Sequence, residues 1–299
     1  MDAAATTVPK DDCLVSTKWL AENLTQPNLY VLDASMNKVV GRTPLEYNEL
    51  TVIPKAFNLK LEEHLTDTSA KLPNTFPTAE QVTLHIQHLG INTSDTIVVY
   101  DNQGIYSAPR AWVILKAMGF DKVFILDGGL PQWLADNYSV TDKYAIASGR
   151  RGDFVASFES NWLVNKKQVL KATQSGAHSI IDARTRERFL GQKEEPREGM
   201  RSGHIRGSYN LPFLDVLDDN KFKKPEVLEE LLVDLICTKS PNIICTCGSG
   251  ITACILLIAA RLAGYSNVQL YDGSWSEWGA DPQLPIGTFS QNQQLATSN

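Results

Sequence analysis

Apolar and polar positions along this chain fall into blocks that switch between two periods. Short apolar runs bounded by turn formers predict buried strands, and longer runs with apolar residues every three or four positions predict helices. Ser16 to Leu24 reads as a first helix with Ser16 or Thr17 as its cap, followed by an apolar strand from Asn28 to Ala34. A polar, turn-rich excursion runs from Ser35 to Pro77. Thr78 to Leu89 is a second helix, with Thr78 capping and Gln81 at the capping-box position. Asp95 to Asp101 is a second strand, and Ser107 to Met118 a helix with Pro109 in its first turn and Gly119 after its end. Lys122 to Leu126 is a third strand. It leads through Asp127, Gly128 and Gly129 into a short helix, Pro131 to Asn137, that carries Trp133.

The rhythm breaks over Asn137 to Ser160, a stretch rich in Ser, Gly, Asp, Lys and Arg that reads as a connector. It then restarts, with a helix predicted from Val164 to Gln174. Ser179 to Ala183 repeats Val31 to Ala34, and His204 to Pro212 echoes Val52 to Leu59. Ile243 to Cys247 matches Ile97 to Asp101, and Leu270 to Trp275 matches Ile125 to Leu130, with Trp278 falling on Trp133. The offset is roughly 145–150 residues at every site, which is an internal duplication of a whole domain. The expected layout is a domain over residues 14–138, a linker over 139–160, a second domain over 161–281 and a polar tail over 282–299. Strands alternating with helices predict an α/β fold, with right-handed parallel βαβ units in each half.

Bulk composition narrows the function classes. The chain of 299 residues is 43% hydrophobic and 21% charged, ordinary for a soluble globular protein and long enough for two domains. Its net charge of −6 argues against a nucleic-acid surface. Five cysteines without framework spacing do not predict a disulfide scaffold. The Cys245-x-Cys247 pair is weak as a metal signature, and no metal or cofactor is expected. The N-terminus lacks a basic start followed by an apolar core, so no secretory leader is expected, and no apolar run spans a bilayer. A reducing cytoplasm suits a reactive thiol. Cys254 reads as core, and Cys13 as a candidate exposed thiol.

The chemistry concentrates at Pro241 to Gly264. A short apolar strand, Asn242 to Thr246, runs into the loop Cys247-Gly248-Ser249-Gly250-Ile251-Thr252 and then a nearly all-apolar helix. Chemistry in parallel α/β sheets sits at the carboxyl ends of strands. Cys247 stands there, before a helix N-terminus whose amides and dipole favour an anion, so its thiol is expected to have a lowered pKa. Gly248 and Gly250 let the loop amides turn inward as a nest. Ser249, two residues after the thiol, is either a small turn residue or a proton carrier. Thr252 is read first as the helix cap. In the first half Asp101 falls on Cys247, and an aspartate cannot do the work of a thiolate.

This loop resembles that of the rhodanese-type sulfurtransferases, and within them the mercaptopyruvate-using branch, whose loop is Cys-Gly-Ser-Gly-Val-Thr. The resemblance covers nearly the whole chain. It implies two rhodanese-like domains, each a parallel sheet flanked by helices, the first catalytically silent. It implies transfer of sulfur from 3-mercaptopyruvate through a Cys247 persulfide to thioredoxin, a small thiol or cyanide, with pyruvate released, by a monomer that binds neither nucleic acid nor membrane. Within this chain Arg188, in Arg-Phe, and Arg197, in Pro-Arg-Glu-Gly, match the family's carboxylate clamp, and Gly248, Gly250, Ile251 and Thr252 line the same cradle. Arg184 and Arg186, in the same mixed-charge run, are expected at the solvated surface. Glu62 and Asn74 fall where the family has a relay aspartate and histidine. Asn74 cannot shuttle protons, Lys55 replaces the usual glycine, and His64 is a possible stand-in. Arg110 also matches a family motif and reads as structural.

Three rivals remain. A thiosulfate:cyanide sulfurtransferase would place cationic side chains at Gly248 and Ser249. A Cys-based phosphatase would need an arginine where Ala253 stands. A non-catalytic sulfur carrier would load sulfur once without turnover.

Overall fold

The apolar runs assemble into two five-stranded sheets of the same topology. The computed structural model describes residues 13–236 and 242–288. Residues 1–12, on which the leader expectation bears, and 289–299 lie outside that range. The first part of the expected polar tail is instead packed: Leu284 joins the second core and Ile286–Gly287 pairs antiparallel with His204–Ile205. Of the described residues, those within Met1–Leu65, Pro77–Phe158 and Asp219–Lys221 form one compact unit, and those within Thr66–Phe76, Glu159–Asp218 and Phe222–Asn299 form a second. The segment Thr66–Phe76 therefore packs with the later half of the chain, although it precedes most of the first unit in sequence.

In the first unit the sheet runs Leu14–Val15, Val123–Leu126, Thr96–Tyr100, Leu29–Asp33, Phe57–Asn58. In the second it runs Leu163–Val164, Asn267–Tyr271, Asn242–Thr246, Ser179–Asp182, Tyr209–Asn210. Neighbouring strands are parallel in both. Strands covered on both faces by helices must be apolar on both faces. Ile243, Ile244 and Cys245 are accordingly buried side by side in the central strand. One cluster of Val31, Val98, Tyr100, Leu126 and Trp133 fills the first core. A second, of Ile180, Ile244, Tyr271, Trp275 and Trp278, fills the duplicate.

Local signals set most boundaries. Thr78 and Gln81 form the predicted capping box for Ala79–His88. Three elements differ from expectation. The helix predicted from Val164 begins at Lys166, because Asn165 and Gln168 form a second capping box and Leu163–Val164 is an edge strand. The helix predicted from Pro131 begins at Gly129, where glycine accepts φ +52 and a Cβ would strike the carbonyl oxygens of Asp101 and Gly104 at 2.5 Å. The amphipathic helix Pro225–Ile236 was not read from the sequence, although it is the counterpart of Ala79–His88 before the central strand. Cys13 is 3% exposed, which removes it as a candidate surface thiol: its carbonyl accepts the Ile125 N–H at 2.7 Å and holds the residue in the core. No helix of the described residues is long and apolar enough to cross a membrane.

Candidate active site

Cys247 follows the central strand of the second sheet, between the ends of Asn267–Tyr271 and Ser179–Asp182. It is 2% exposed, and it forms no disulfide with the buried Cys13, Cys245 or Cys254. Its own N–H is held by Ser274 Oγ at 3.1 Å, and that hydroxyl donates in turn to the Tyr271 carbonyl at 2.8 Å. Ser274 sits at φ +50, the backbone region that its duplicate Gly129 occupies freely. Ser276 secures the next residue, its N–H and hydroxyl both donating to the Gly248 carbonyl, at 2.9 and 2.6 Å. Gly250 turns the loop at φ +81. The N–H groups of Ser249, Thr252 and Ala253 donate to no acceptor among the described residues.

The first unit shows what this loop shape holds. Asp101 takes the place of Cys247, and its carboxylate accepts four backbone N–H bonds. Oδ1 receives Gln103 at 2.9 Å, and Oδ2 receives Tyr106, Ser107 and Ala108 at 2.9, 2.9 and 2.8 Å. By the duplication, Gln103, Tyr106 and Ser107 correspond to Ser249, Thr252 and Ala253. Bent backbone with converging amides is an anion cradle. The first copy fills it with its own carboxylate; in the second, the Cys254 N–H that corresponds to Ala108 bonds the Ile251 carbonyl at 3.0 Å, and the other three equivalent donors are unspent among the described residues.

Thr252 departs from expectation. It precedes the helix Ala253–Leu262, but its φ of −70° and ψ of −17° are already helical and its side chain makes no capping bond. A helical backbone turns the hydroxyl away from the first-turn amides, so Thr252 is a loop residue whose side chain is not spent on the helix. Cys254 is core as expected, its thiol donating to the Gly250 carbonyl at 3.2 Å. Burial pushes the Cys245 thiol well above the usual range, so it stays protonated.

Arg188 is 9% exposed on the short helix Arg186–Phe189. A Cβ at Gly248 would lie 3.0 Å from Arg188 Nη2, so the missing side chain is what admits the guanidinium to the loop. Glu195 holds the same edge of the guanidinium, accepting Nε at 3.2 Å and Nη2 at 2.5 Å. Arg197 is exposed and donates Nη1 to Ser276 Oγ at 3.0 Å. Partial desolvation lowers the Arg197 guanidinium, the neighbouring Cys247 raises it, and the net shift is downward. Both arginines thus approach the loop, Arg188 through Gly248 and Arg197 through Ser276.

Arg184, expected at the surface with Arg186, is 2% exposed. It forks onto Asp182, with Nη2 at 2.7 Å, bonds Glu195 through Nη1 at 2.8 Å and lies 4.4 Å over the Trp275 ring. Burial pulls its guanidinium down, but Asp182 and Glu195 outweigh that and the net shift is upward. Arg186 is exposed as expected.

The relay positions separate. Asn74, at φ +56, belongs to the second unit and donates Nδ2 to Ser249 Oγ at 2.8 Å. Phe76, two residues on, anchors the same segment by donating its N–H to Asp272 at 2.9 Å. Glu62 belongs to the first unit, where it accepts the Asn37 N–H at 2.8 Å. His64 stacks on His85 at 4.4 Å, and burial beside it brings His85 down to about 4. Lys55 sits at φ +66, a left-handed conformation that the glycine implied there by the resemblance would adopt without strain. Arg110 is 1% exposed within the helix Ala108–Ala117, in keeping with a structural part. Sequence reasoning passed over Ser274, Ser276, Asp182 and Glu195. Their only signal was position: two polar residues beside the Asp272-Gly273 turn, and acids flanking an arginine-rich run.

The family model for the rhodanese-like domain matches the chain twice, over residues 16–136 and 165–281. The chain belongs to the rhodanese family. A 3-mercaptopyruvate sulfurtransferase of Escherichia coli is 34% identical over 278 residues, which is 91% of this chain and 96% of that protein. A thiosulfate sulfurtransferase of Cricetulus griseus is 37% identical over 273 residues, 89% of this chain and 91% of that one. The crystal structure of an Escherichia coli 3-mercaptopyruvate sulfurtransferase superposes with a TM-score of 0.78 at 32% identity, covering 89% of this chain and all of that one. The two rhodanese domains match the two sheets, and the strand-loop-helix after Thr246 lies inside the second match. Relatives of both substrate names are equally near, so identity does not choose between them; the side chains around Cys247 carry that choice.

Proposed function

We propose that this rhodanese is a 3-mercaptopyruvate sulfurtransferase working through a Cys247 persulfide. The observation that carries the reading is the pairing of a neutral loop, Gly248 and Ser249, with two arginines at its rim. Arginine's planar fork suits a carboxylate, and the neutral loop suits an uncharged keto group and thiol better than a dianion. The substrate carboxylate docks on Arg188 and Arg197. Cys247 thiolate attacks the substrate sulfur, the S–S bond forms and the C–S bond breaks. The bonding pair moves into the keto group as the pyruvate enolate, which takes up the proton released from the substrate thiol. The free amides of Ser249, Thr252 and Ala253, with Gly250 shaping the turn and Ile251 closing its apolar side, hold the outer sulfur as an anion. A thiol acceptor, or cyanide, then removes that sulfur and restores the thiolate. Asp101 leaves the first domain silent, since its cradle is already filled.

Asn74 takes the place of a titrating relay. By donating to Ser249 Oγ it occupies a lone pair and leaves the hydroxyl proton pointing toward the reacting atoms. Asn74→Ala is expected to lower kcat about fivefold with KM unchanged, the worth of one neutral orienting bond. Wild-type kcat in steady-state assays of the variant would discard this account. The clamp and Cys247 come from one domain of one chain, so a monomer suffices. Free cysteines throughout the described residues suit a reducing compartment such as the cytoplasm.

The test of the substrate is a side-by-side measurement with cyanide as acceptor. kcat/KM for 3-mercaptopyruvate is expected to exceed that for thiosulfate by about tenfold or more, the scale of one charge-assisted contact that thiosulfate cannot make. Equal or inverted efficiencies assign the chain to the thiosulfate reaction, and a single release of pyruvate without turnover assigns it to a carrier.

A further inference from the structure

The second domain contains a buried chain of four charged side chains that the mechanism above does not use in full. Asp182 ends the strand Ser179–Asp182. Its carboxylate receives Arg184 Nε at 3.1 and 3.0 Å and Nη2 at 2.7 Å, and it also receives the Arg184 N–H at 2.9 Å. Arg184 passes Nη1 to Glu195 Oε1 at 2.8 Å, and Nη2 also reaches the Gly203 carbonyl at 2.8 Å. Glu195 closes on Arg188 with both oxygens. The side chains of Asp182, Arg184 and Glu195 are 1%, 1% and 4% exposed. Two acids and two arginines balance, so no charge is left uncompensated in the interior.

The first domain is an internal control. Asp33 corresponds to Asp182, and two residues later stands Ser35 where the second domain has Arg184. Asp33 accepts the Ser35 N–H at 2.9 Å and its hydroxyl. Ser35 Oγ then accepts the N–H of Asn102, the counterpart of Gly248, at 2.9 Å. In the first domain the aspartate braces the loop directly through the serine, and a guanidinium from another segment, Arg42, bonds the Gln103 carbonyl at 3.0 Å. In the domain with the cysteine the same aspartate leads instead through Arg184 and Glu195 to Arg188, whose Nη2 lies against Gly248.

We infer that Glu195, held by Arg184 and Asp182, is a positioning residue that fixes the Arg188 fork for the donor's carboxylate. The inference rests on the reading of Arg188 as a carboxylate ligand. Glu195 grips Nε and Nη2 and leaves Arg188 Nη1 without an acid partner among the described residues, so one side of the fork is oriented and the other is available. A free arginine would have to lose its rotamer freedom each time substrate binds; a held one has lost it already.

The experiment compares wild type, Glu195→Ala, Arg188→Ala and the double variant in the full chain. KM and kcat are measured for 3-mercaptopyruvate, and the rate at which cyanide discharges the preloaded persulfide is measured separately. Glu195→Gln, of the same shape, serves as a second variant, since its amide would face Arg188 Nη2 and break the fork with little change in packing. Glu195→Ala and Glu195→Gln are expected to raise KM about tenfold or more. They are expected to leave cyanide discharge unchanged and to add nothing once Arg188 is removed. Discharge slowed as much as loading, or full additivity with Arg188→Ala, would overturn the positioning role. An unchanged KM in both Glu195 variants beside a raised KM in Arg188→Ala would overturn it while leaving the substrate reading intact. An unchanged KM in Arg188→Ala itself would remove the carboxylate reading on which the inference stands.

Discussion

Cys247→Ser is expected to keep its fold and take up no sulfur. The side chain is 2% exposed at the end of a buried strand, and serine is close to cysteine in volume, so packing changes little. The N–H bond to Ser274 is main-chain and survives. The chemistry does not survive. A serine hydroxyl stays protonated at neutral pH and is a poor nucleophile toward sulfur, whereas a thiolate is a good one. Turnover with 3-mercaptopyruvate is expected to fall by at least about 10⁴-fold, the scale seen when a covalent nucleophile is removed. Intact-protein mass spectrometry after mercaptopyruvate exposure is the direct check. Wild type should gain the mass of one sulfur and return to its starting mass with cyanide. A sulfur adduct retained by the variant would transfer the role away from Cys247, and Cys245 is a poor heir because burial holds it as a thiol.

Removing either arginine should cost about 2–4 kcal/mol in kcat/KM for 3-mercaptopyruvate, or roughly 30- to 1,000-fold. The two losses should differ in kind. Arg197 is exposed and bonds the hydroxyl of Ser276, so Arg197→Ala deletes a charge beside Cys247 and leaves no buried partner stranded. Arg188 is paired with Glu195, whose side chain is 4% exposed, so Arg188→Ala also strips that carboxylate of two of its donors. Thermal unfolding should therefore fall for Arg188→Ala and hold for Arg197→Ala, while both raise KM. Arg188→Lys should not rescue, because an ammonium cannot hold Glu195 and a carboxylate with one planar fork. Steady-state kinetics alongside melting curves decide it: unchanged kinetics in both alanine variants would remove the clamp.

Much of the fold was legible because it repeats. Apolar runs such as Ile243 to Cys245 and Val98 to Tyr100 can only be covered strands, and the capping box at Thr78 and Gln81 is written in adjacent residues. The duplicated aspartates, Asp33 and Asp182, marked the same strand end twice. The cysteine loop was legible for the same local reason, since a strand, two glycines and a helix start are consecutive in the chain. Where the reading failed, the missing partner was distant. Arg184 looks like any arginine in a charged run until Asp182, Glu195 and Trp275 surround it. Thr252 has the composition of a cap, but its backbone is already helical. Asn74 stands in the first half of the sequence and packs with the second unit, where it meets Ser249 across 175 positions of chain.

Patterning and local chemistry, which depend on neighbours a few residues apart, determined by themselves the two α/β halves, the strand ends, and the places of Cys247 and Asp101 after them. Tertiary structure alone decided which charges are buried, which amides remain unspent, and how far the arginines reach. Those properties depend on desolvation and on contacts between segments far apart in the chain. The worth of a guanidinium changes with the acid that meets it, and no spacing in the sequence records that Glu195 would be the one.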